Sequence, residues 1–134
     1  MNGVAAIRQL LASNATLTAL VPASRIAAGI LPQGTDLPAI SIMLVSSVDR
    51  NIPAPGAKRR VTDRVQATVM AANYPAQRQI LAAIKKAAAD TMPAVTGISD
   101  VVVHTDSAGP DFMDEKATIY LGSQDFRVTY NEVR

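Results

Sequence analysis

Two β-patterned segments that flank a proline-rich stretch constrain the fold of this chain more than any other feature. Residues 39–45 (AISIMLV) form an apolar, β-branched run, and residues 61–71 alternate apolar and polar side chains. Between them, residues 49–60 (DRNIPAPGAKRR) contain two prolines and a glycine, which exclude a regular helix or an internal strand. The pattern therefore predicts a long hairpin whose strands are joined by a proline-rich loop.

One position departs from the alternation of the second strand. Its odd-numbered positions are apolar at Val61, Val65 and Val69, whereas its even-numbered positions are mostly polar. Asp63 interrupts the apolar face near the loop end. The predicted apolar face of this strand is therefore continuous only beyond Asp63.

Two stretches with apolar residues three and four positions apart predict helices. The first covers residues 4–11 and resumes after Asn14 until Pro22 ends it. The second opens at residues 73–74, has Pro75 in its first turn, and extends to about Asp90. Its predicted buried stripe consists of Ile80, Ala83, Ile84, Ala87 and Ala88.

The remaining segments complete an α+β layer. Residues 25–32 predict an edge strand or extended segment, closed by a turn at Pro32, Gln33 and Gly34. Residues 101–105 predict another strand, and residues 107–115 a loop. The expected fold is a mostly antiparallel sheet of four or five strands, with two main helices packed on one face.

The last predicted strand, residues 118–130, changes phase along its length. Ile119 and Leu121 are odd-numbered, whereas Phe126 and Val128 are even-numbered. A two-residue period cannot place both sets on one face without an extra residue, so a bulge is predicted at Gly122–Ser123.

Composition excludes several classes of function. The 134-residue chain fits a single domain, residues 1–134, and has no cysteine and one histidine, so neither a disulfide framework nor a thiolate or histidine-cluster metal site is expected. No signal peptide or membrane span is recognisable, and folding in the cytoplasm is expected. The net charge of +2 and the absence of tryptophan do not favour nucleic-acid binding.

No catalytic motif is present, and no enzyme activity or cofactor is predicted. His104 and Asp106 could form half of a proton relay, but a polar strand end is the favoured interpretation. Asp111, Asp114 and Glu115 form a small acidic cluster. Since the cluster lacks the alternating oxygen ligands of a calcium loop, a solvated loop is the favoured interpretation.

A cluster of basic residues is the most pointed chemical feature of the sequence. It comprises Arg50, Lys58, Arg59, Arg60 and Arg64, all within or beside the predicted hairpin loop. It could contact a phosphate backbone, dock onto an acidic protein surface, or be a solvated hairpin tip. Docking onto a protein and a solvated hairpin tip are equally favoured interpretations, and both are favoured over binding to nucleic acid.

Several short segments, in order along the chain, resemble the tail-completion or tail-terminator proteins of long-tailed bacteriophages and prophages. The segments are residues 17–21 (LTALV), 25–26 (RI), 29–34 (GILPQG), 37–40 (LPAI), 64–67 (RVQA), 72–76 (ANYPA) and 124–128 (QDFRV). The family often has an aromatic residue where this chain has Val69 or Met70, and residues 49–60 match no shared motif.

The resemblance implies a structural protein of the virion, assembled in the host cytoplasm. Such a subunit forms a ring, typically six-fold, at the head-proximal end of the tail tube. The ring stops tube growth and joins the head connector or stopper, while DNA passes through its lumen without being read. No catalysis, cofactor or membrane is implied.

A ring requires head-to-tail interfaces, in which one surface meets a different surface of the next copy. The candidate interface regions are the edge segment, residues 25–31, and the long loops. The hypothesised interface residues are Arg25, Arg50, Lys58, Arg59, Arg60 and Arg64.

Three alternatives remain open at this point. The first is another head–tail part, such as a connector, a stopper or a minor tail protein. The second is a DNA-binding module that uses the basic hairpin, residues 50–64, and the third is a small enzyme that works through His104 and Asp106.

Overall fold

The computed structural model describes residues 2–29, 31, 36–53, 56–115 and 118–133. Within these ranges the helices are α1 (Asn2–Ala12), α2 (Ala15–Leu20) and α3 (Tyr74–Ala88). The strands are β1 (Ile26–Ala28), β2 (Ala39–Arg50), β3 (Lys58–Ala71), β4 (Ser99–Ala108), β5 (Phe112–Asp114) and β6 (Ile119–Val133).

The strands form one sheet in the order β1-β2-β3-β6-β4, and β5 pairs with β6 beyond the end of β4. Every pair is antiparallel except β1 with β2, which is parallel. The predicted α+β class and the mostly antiparallel sheet are confirmed. The described residues form six strands rather than four or five, because part of the predicted loop at residues 107–115 pairs as the end of β4 and as β5.

The helices cover one face of the sheet and enclose an aliphatic core. Asparagine caps two of them: the side chain of Asn14 accepts from the Leu17 amide, and that of Asn73 accepts from the Ala76 amide. The predicted stripe of α3 is confirmed at Ile80, Ile84 and Ala88, which are buried. Their side chains pack with the odd-numbered side of β3.

The predicted loop at residues 49–60 is shorter than expected. β2 continues to Arg50 and β3 begins at Lys58, with Arg50 and Arg60 directly opposite each other. Strand pairing satisfies the backbone groups while the charged ends of these side chains remain hydrated. Residues 51–57 connect the two strands, so the basic residues of the predicted loop, Arg50, Lys58, Arg59 and Arg60, lie within the strands.

The predicted bulge in the last strand is wrong. β6 pairs with β3 in one unbroken register, from Lys58 opposite Val133 to Ala71 opposite Tyr120. Ile119 and Leu121 lie half-buried on the face away from the helices. The irregularity of this part of the sheet is in β4, between Thr105 and Ala108.

Gly122 lies on the sheet face that the helices cover, at a position where α3 approaches the sheet too closely for a larger side chain. A Cβ at this position would lie 2.5 Å from Gln77 Nε2 and 2.8 Å from Leu81 Cδ1. The glycine thus marks a helix–sheet contact, not a bulge.

The predicted edge segment is confirmed in part. β1 lies at the edge of the sheet, and the Gly29 amide continues its pairing by donating to the Ile42 carbonyl over 2.8 Å. The predicted turn at Pro32, Gln33 and Gly34 lies outside the described residues. Among the described helices, none is long and apolar enough to cross a membrane.

Candidate assembly surfaces

The hairpin end brings four of the predicted interface residues together. Arg50 and Arg60 are direct cross-strand neighbours, and Lys58 and Arg59 precede Arg60 on β3. Arg59 Nη1 donates to Asn51 Oδ1 over 2.9 Å, and Arg60 Nη1 donates to the Asp100 carbonyl over 2.8 Å. The four residues form a positively charged tip at one end of the sheet, which we call the basic tip.

Arg25 does not join the basic tip. Its Nη1 donates to the Leu37 carbonyl over 3.1 Å, beside the start of β2. Ile26, the next residue, pairs with Ile40, ten positions before Arg50 on the same strand. At about 3.3 Å per residue, roughly 33 Å separates these two regions of the sheet.

Arg64 belongs to an ionic network on the sheet face that the helices leave open. It donates to Asp125 Oδ2 through Nη2 over 2.6 Å and through Nε over 3.0 Å. Asp106 lies 3.3 Å from Arg64 Nε and accepts from Arg127 Nε over 2.8 Å. The hydrogen bond to Asp125 raises the pKa of Arg64. Arg64 is thus engaged within its own chain, unlike the exposed Lys58.

Asp106 in this network is not a partner of His104, so the hypothesised His104–Asp106 relay is wrong. His104 Nδ1 lies 2.9 Å from Asp90 Oδ1, and both side chains are largely exposed. No group of three or more potential metal ligands occurs among the residues that the structure describes.

The acidic cluster is tied to α3 through Asp111. Its Oδ2 accepts from the Tyr74 hydroxyl over 2.8 Å, and its Oδ1 lies 3.5 Å from Arg78 Nη1. The hydrogen bond from Tyr74 lowers the pKa of Asp111 and raises that of Tyr74. Asp111 therefore anchors the segment before β5 to the start of α3, while Asp114 and Glu115 remain exposed.

Asp63, the exception in the apolar face of β3, is a buried junction between four elements. Its Oδ2 accepts from the Gly3 amide over 3.0 Å and from the Tyr130 hydroxyl over 2.9 Å, and Ser47 Oγ donates to its Oδ1. The carboxylate thereby joins the first turn of α1 to β2, β3 and β6. Its charge also suits the positive end of a helix dipole.

The Tyr130 hydroxyl makes the stability of this junction sensitive to high pH. Burial, followed by the hydrogen bond to Asp63, raises the pKa of Tyr130 above its ordinary value of 10.0. A phenol with a higher pKa in the folded chain stabilises the fold while it is protonated. Its contribution is complete below pH 10 and is lost as the pH rises above that value.

We expect the free energy of unfolding to fall above pH 10 by up to about 1.4 kcal/mol per pH unit from this group. Urea denaturation between pH 8 and about pH 11 measures the slope. Tyr130→Phe should be less stable overall but have a shallower slope, whereas Tyr74→Phe controls for the other shifted phenol. Equal slopes for wild type and Tyr130→Phe would contradict the assignment.

The fold is similar to that of a solved virus-like particle component. A chain in the "virion of native gene transfer agent (GTA) particle" superposes with a TM-score of 0.67 at 17% identity, covering 93% of this chain and 91% of that chain. At this identity the similarity shows the fold alone. No curated protein sequence matches the chain.

The family follows from the sequence match. The family model described as "Tail completion protein gp17" matches residues 5–131, nearly the whole chain. This chain belongs to the tail completion protein gp17 family, and it is a structural protein of a phage tail. The predicted family resemblance is confirmed.

Proposed function

We propose that this chain caps the tail tube as a ring of six copies. The ring ends tube elongation and presents the surface to which the head connector or stopper binds. DNA passes through the lumen without sequence-specific recognition. The protein would occupy the head-proximal end of the tail after assembly in the host cytoplasm.

The match to the tail completion family over residues 5–131 carries this proposal. The position of the basic tip supports the proposed role in joining. The basic tip lies at the paired ends of β2 and β3, and Arg60 donates to the carbonyl of Asp100 in β4. A preorganised charged surface loses less conformational entropy on docking than a flexible loop does.

Electron microscopy of particles produced without this chain tests the proposal. We expect abnormally long tails together with unjoined heads, and restoration of joined particles of normal length when the chain is supplied in trans. Tails of normal length with unjoined heads would instead favour a connector or stopper. Joined particles with tails of normal length would contradict a role in completion.

The same particles test the number of copies. The mass of the complex at the tail end, or its rotational symmetry in averaged images, should correspond to six subunits. A different symmetry would correct the ring size without affecting the role in ending the tube.

A further inference from the structure

The outer edge of β2 is unusually apolar where β1 ends. β1 covers β2 only from Ile40 to Ile42, but β2 continues to Arg50, and no described strand pairs with that part of its outer edge. Leu44 and Val48 there are 42% and 64% exposed. Natural proteins usually cover or charge such an edge, because it can pair with another chain.

An apolar cavity of about 430 Å³ opens beside this edge. Arg8 lies nearby on α1, where its Nε donates to the Ile26 carbonyl over 3.2 Å, and it lines an adjoining hollow that shares Ala28 with the cavity. The site is therefore apolar with a basic rim. The cavity is lined by Val4, Ala28, Gly29, Ile42, Met43 and Leu44.

The opposite edge of the sheet carries an apolar segment with acidic neighbours, which complements the apolar site with a basic rim beside β2. In β5, Phe112 is 59% exposed and Met113 is 39% exposed. Asp111, Asp114 and Glu115 flank these two side chains, so the segment is apolar with acidic neighbours. β5 pairs with β6 on one side, and no described strand pairs with its other side.

The two surfaces lie on opposite sides of one sheet and at different levels along its strands. Leu44 pairs with Val65, and Val65 pairs with Phe126, whereas Phe112 pairs with Leu121, five positions away on β6. Three strand spacings, roughly 14 Å, separate β2 from β5 across the sheet. A contact between such opposed edges is head-to-tail, and repetition of that contact closes a ring when the rotation is right.

We propose that β5 of one copy docks against the outer edge of β2 and the adjoining apolar cavity of the next copy. This inference rests on the proposed function, since it supplies the contact that builds the ring. Phe112 and Met113 bury apolar area against Leu44 and its neighbours. The exposed Glu115 that follows β5 meets the basic rim at Arg8, and this charge complementarity selects a second copy as the occupant.

Cross-linking of assembled particles tests the contact, because the chain has no native cysteine. Val45→Cys and Met113→Cys place one thiol beside each surface while keeping Leu44 and Phe112. After treatment with a short bis-maleimide, the double variant should no longer run as a monomer on a denaturing gel. It should instead give a ladder of cross-linked oligomers, the largest of which contains as many copies as the ring. Each single variant should remain monomeric, and a mixture of the two single variants should stop at dimers.

A matched control moves one thiol away from the proposed contact. Met92 is 76% exposed, and the Met92→Cys, Met113→Cys double variant should give no ladder. Rings visible by microscopy without cross-links between positions 45 and 113 would overturn this contact but leave the proposed function intact. Cross-links from position 45 to another virion protein would also overturn it. The absence of any ring at the tail end would refute the proposed function itself.

Discussion

Replacing Asp63 with alanine is expected to lower the free energy of unfolding by about 2–5 kcal/mol. The carboxylate is 1% exposed and accepts hydrogen bonds from the Gly3 amide and the Tyr130 hydroxyl, which are buried as well. Alanine leaves both donors without this acceptor, and each buried unsatisfied group costs about 1–3 kcal/mol. Ser47 contributes less because it is exposed and can bind water instead.

The effect should extend to the position of α1. Gly3 fits closely against Asp63, since a Cβ on Gly3 would lie 2.7 Å from Asp63 Cβ. Loss of the carboxylate therefore removes the hydrogen bond that fixes the first turn of α1 to the sheet. Val4, in the same turn, lines the apolar cavity beside β2, so loosening this turn should also weaken ring formation.

Chemical denaturation of wild type, Asp63→Ala and Asp63→Asn measures the loss of stability. Asparagine retains one side-chain oxygen as an acceptor, so its cost should be smaller than that of alanine. Asp36→Ala removes an exposed carboxylate outside the helices and strands and should change stability by no more than about 0.5 kcal/mol. If Asp63→Ala unfolded at the same denaturant concentration as wild type, the junction would not stabilise the fold as described.

The parts of the fold that depend on local chemistry could be predicted from the sequence. Asn73 followed by Tyr74 and Pro75 identifies a helix start, because a capping side chain and a proline in the first turn act within a few residues. The partners of Asp63 could not be predicted, because Gly3 and Tyr130 lie 60 and 67 positions away. The pairing of β3 with β6 brings Tyr130 beside Asp63, and the packing of α1 on the sheet brings Gly3 there.

The incorrect prediction of a bulge in the last strand also has a specific physical cause. A change of phase requires a bulge only where one face of a strand is buried, because odd- and even-numbered apolar residues are then incompatible. Leu121 is half-buried on the second face, opposite Met70, while Gly122 occupies the helix face. Sequence alternation cannot reveal such a strand, because both of its faces are partly covered.

The candidate interface shows the same division between local and long-range information. Lys58, Arg59 and Arg60 are contiguous in the chain, so their clustering was visible in the sequence and is retained in the hairpin. Arg25 was a candidate because it opens the predicted edge segment, and the sheet register places it far from the basic tip. The apolar edge at Leu44 was missed because its exposure depends on where β1 stops.

Reversing the charge of the basic tip is expected to abolish head–tail joining while leaving the chain folded. The variant changes Lys58, Arg59 and Arg60 together to glutamate. Lys58 is exposed and the other two are half-buried at the surface, so no core contact is removed. Arg60 also lies directly opposite Arg50, and like charges in this position destabilise a hairpin. Glutamate at position 60 replaces that repulsion with attraction, whereas glutamate at position 59 lies opposite Glu132, so the two effects oppose each other and the net change in stability should be small.

The expected loss of joining follows from electrostatic complementarity. A docking surface that meets an acidic partner through these side chains becomes repulsive after reversal, and like-charge juxtaposition costs several kcal/mol. Electron microscopy should show separated heads and tails, and infectivity should fall by at least about 100-fold, since a loss of about 2.8 kcal/mol in docking affinity weakens binding 100-fold. Circular dichroism and the melting midpoint should match wild type.

Reversal of exposed charges elsewhere provides the control. Lys85 and Lys86 lie exposed in the last turn of α3 and are not part of the hairpin end. Lys85→Glu with Lys86→Glu alters the net charge of the chain in the same direction, and joined, infectious particles should result. If both variants failed equally, overall charge would explain the defect. If the triple variant joined heads and tails normally, the basic tip would have no part in docking, whatever the apolar contact between β5 and β2 contributes to the ring.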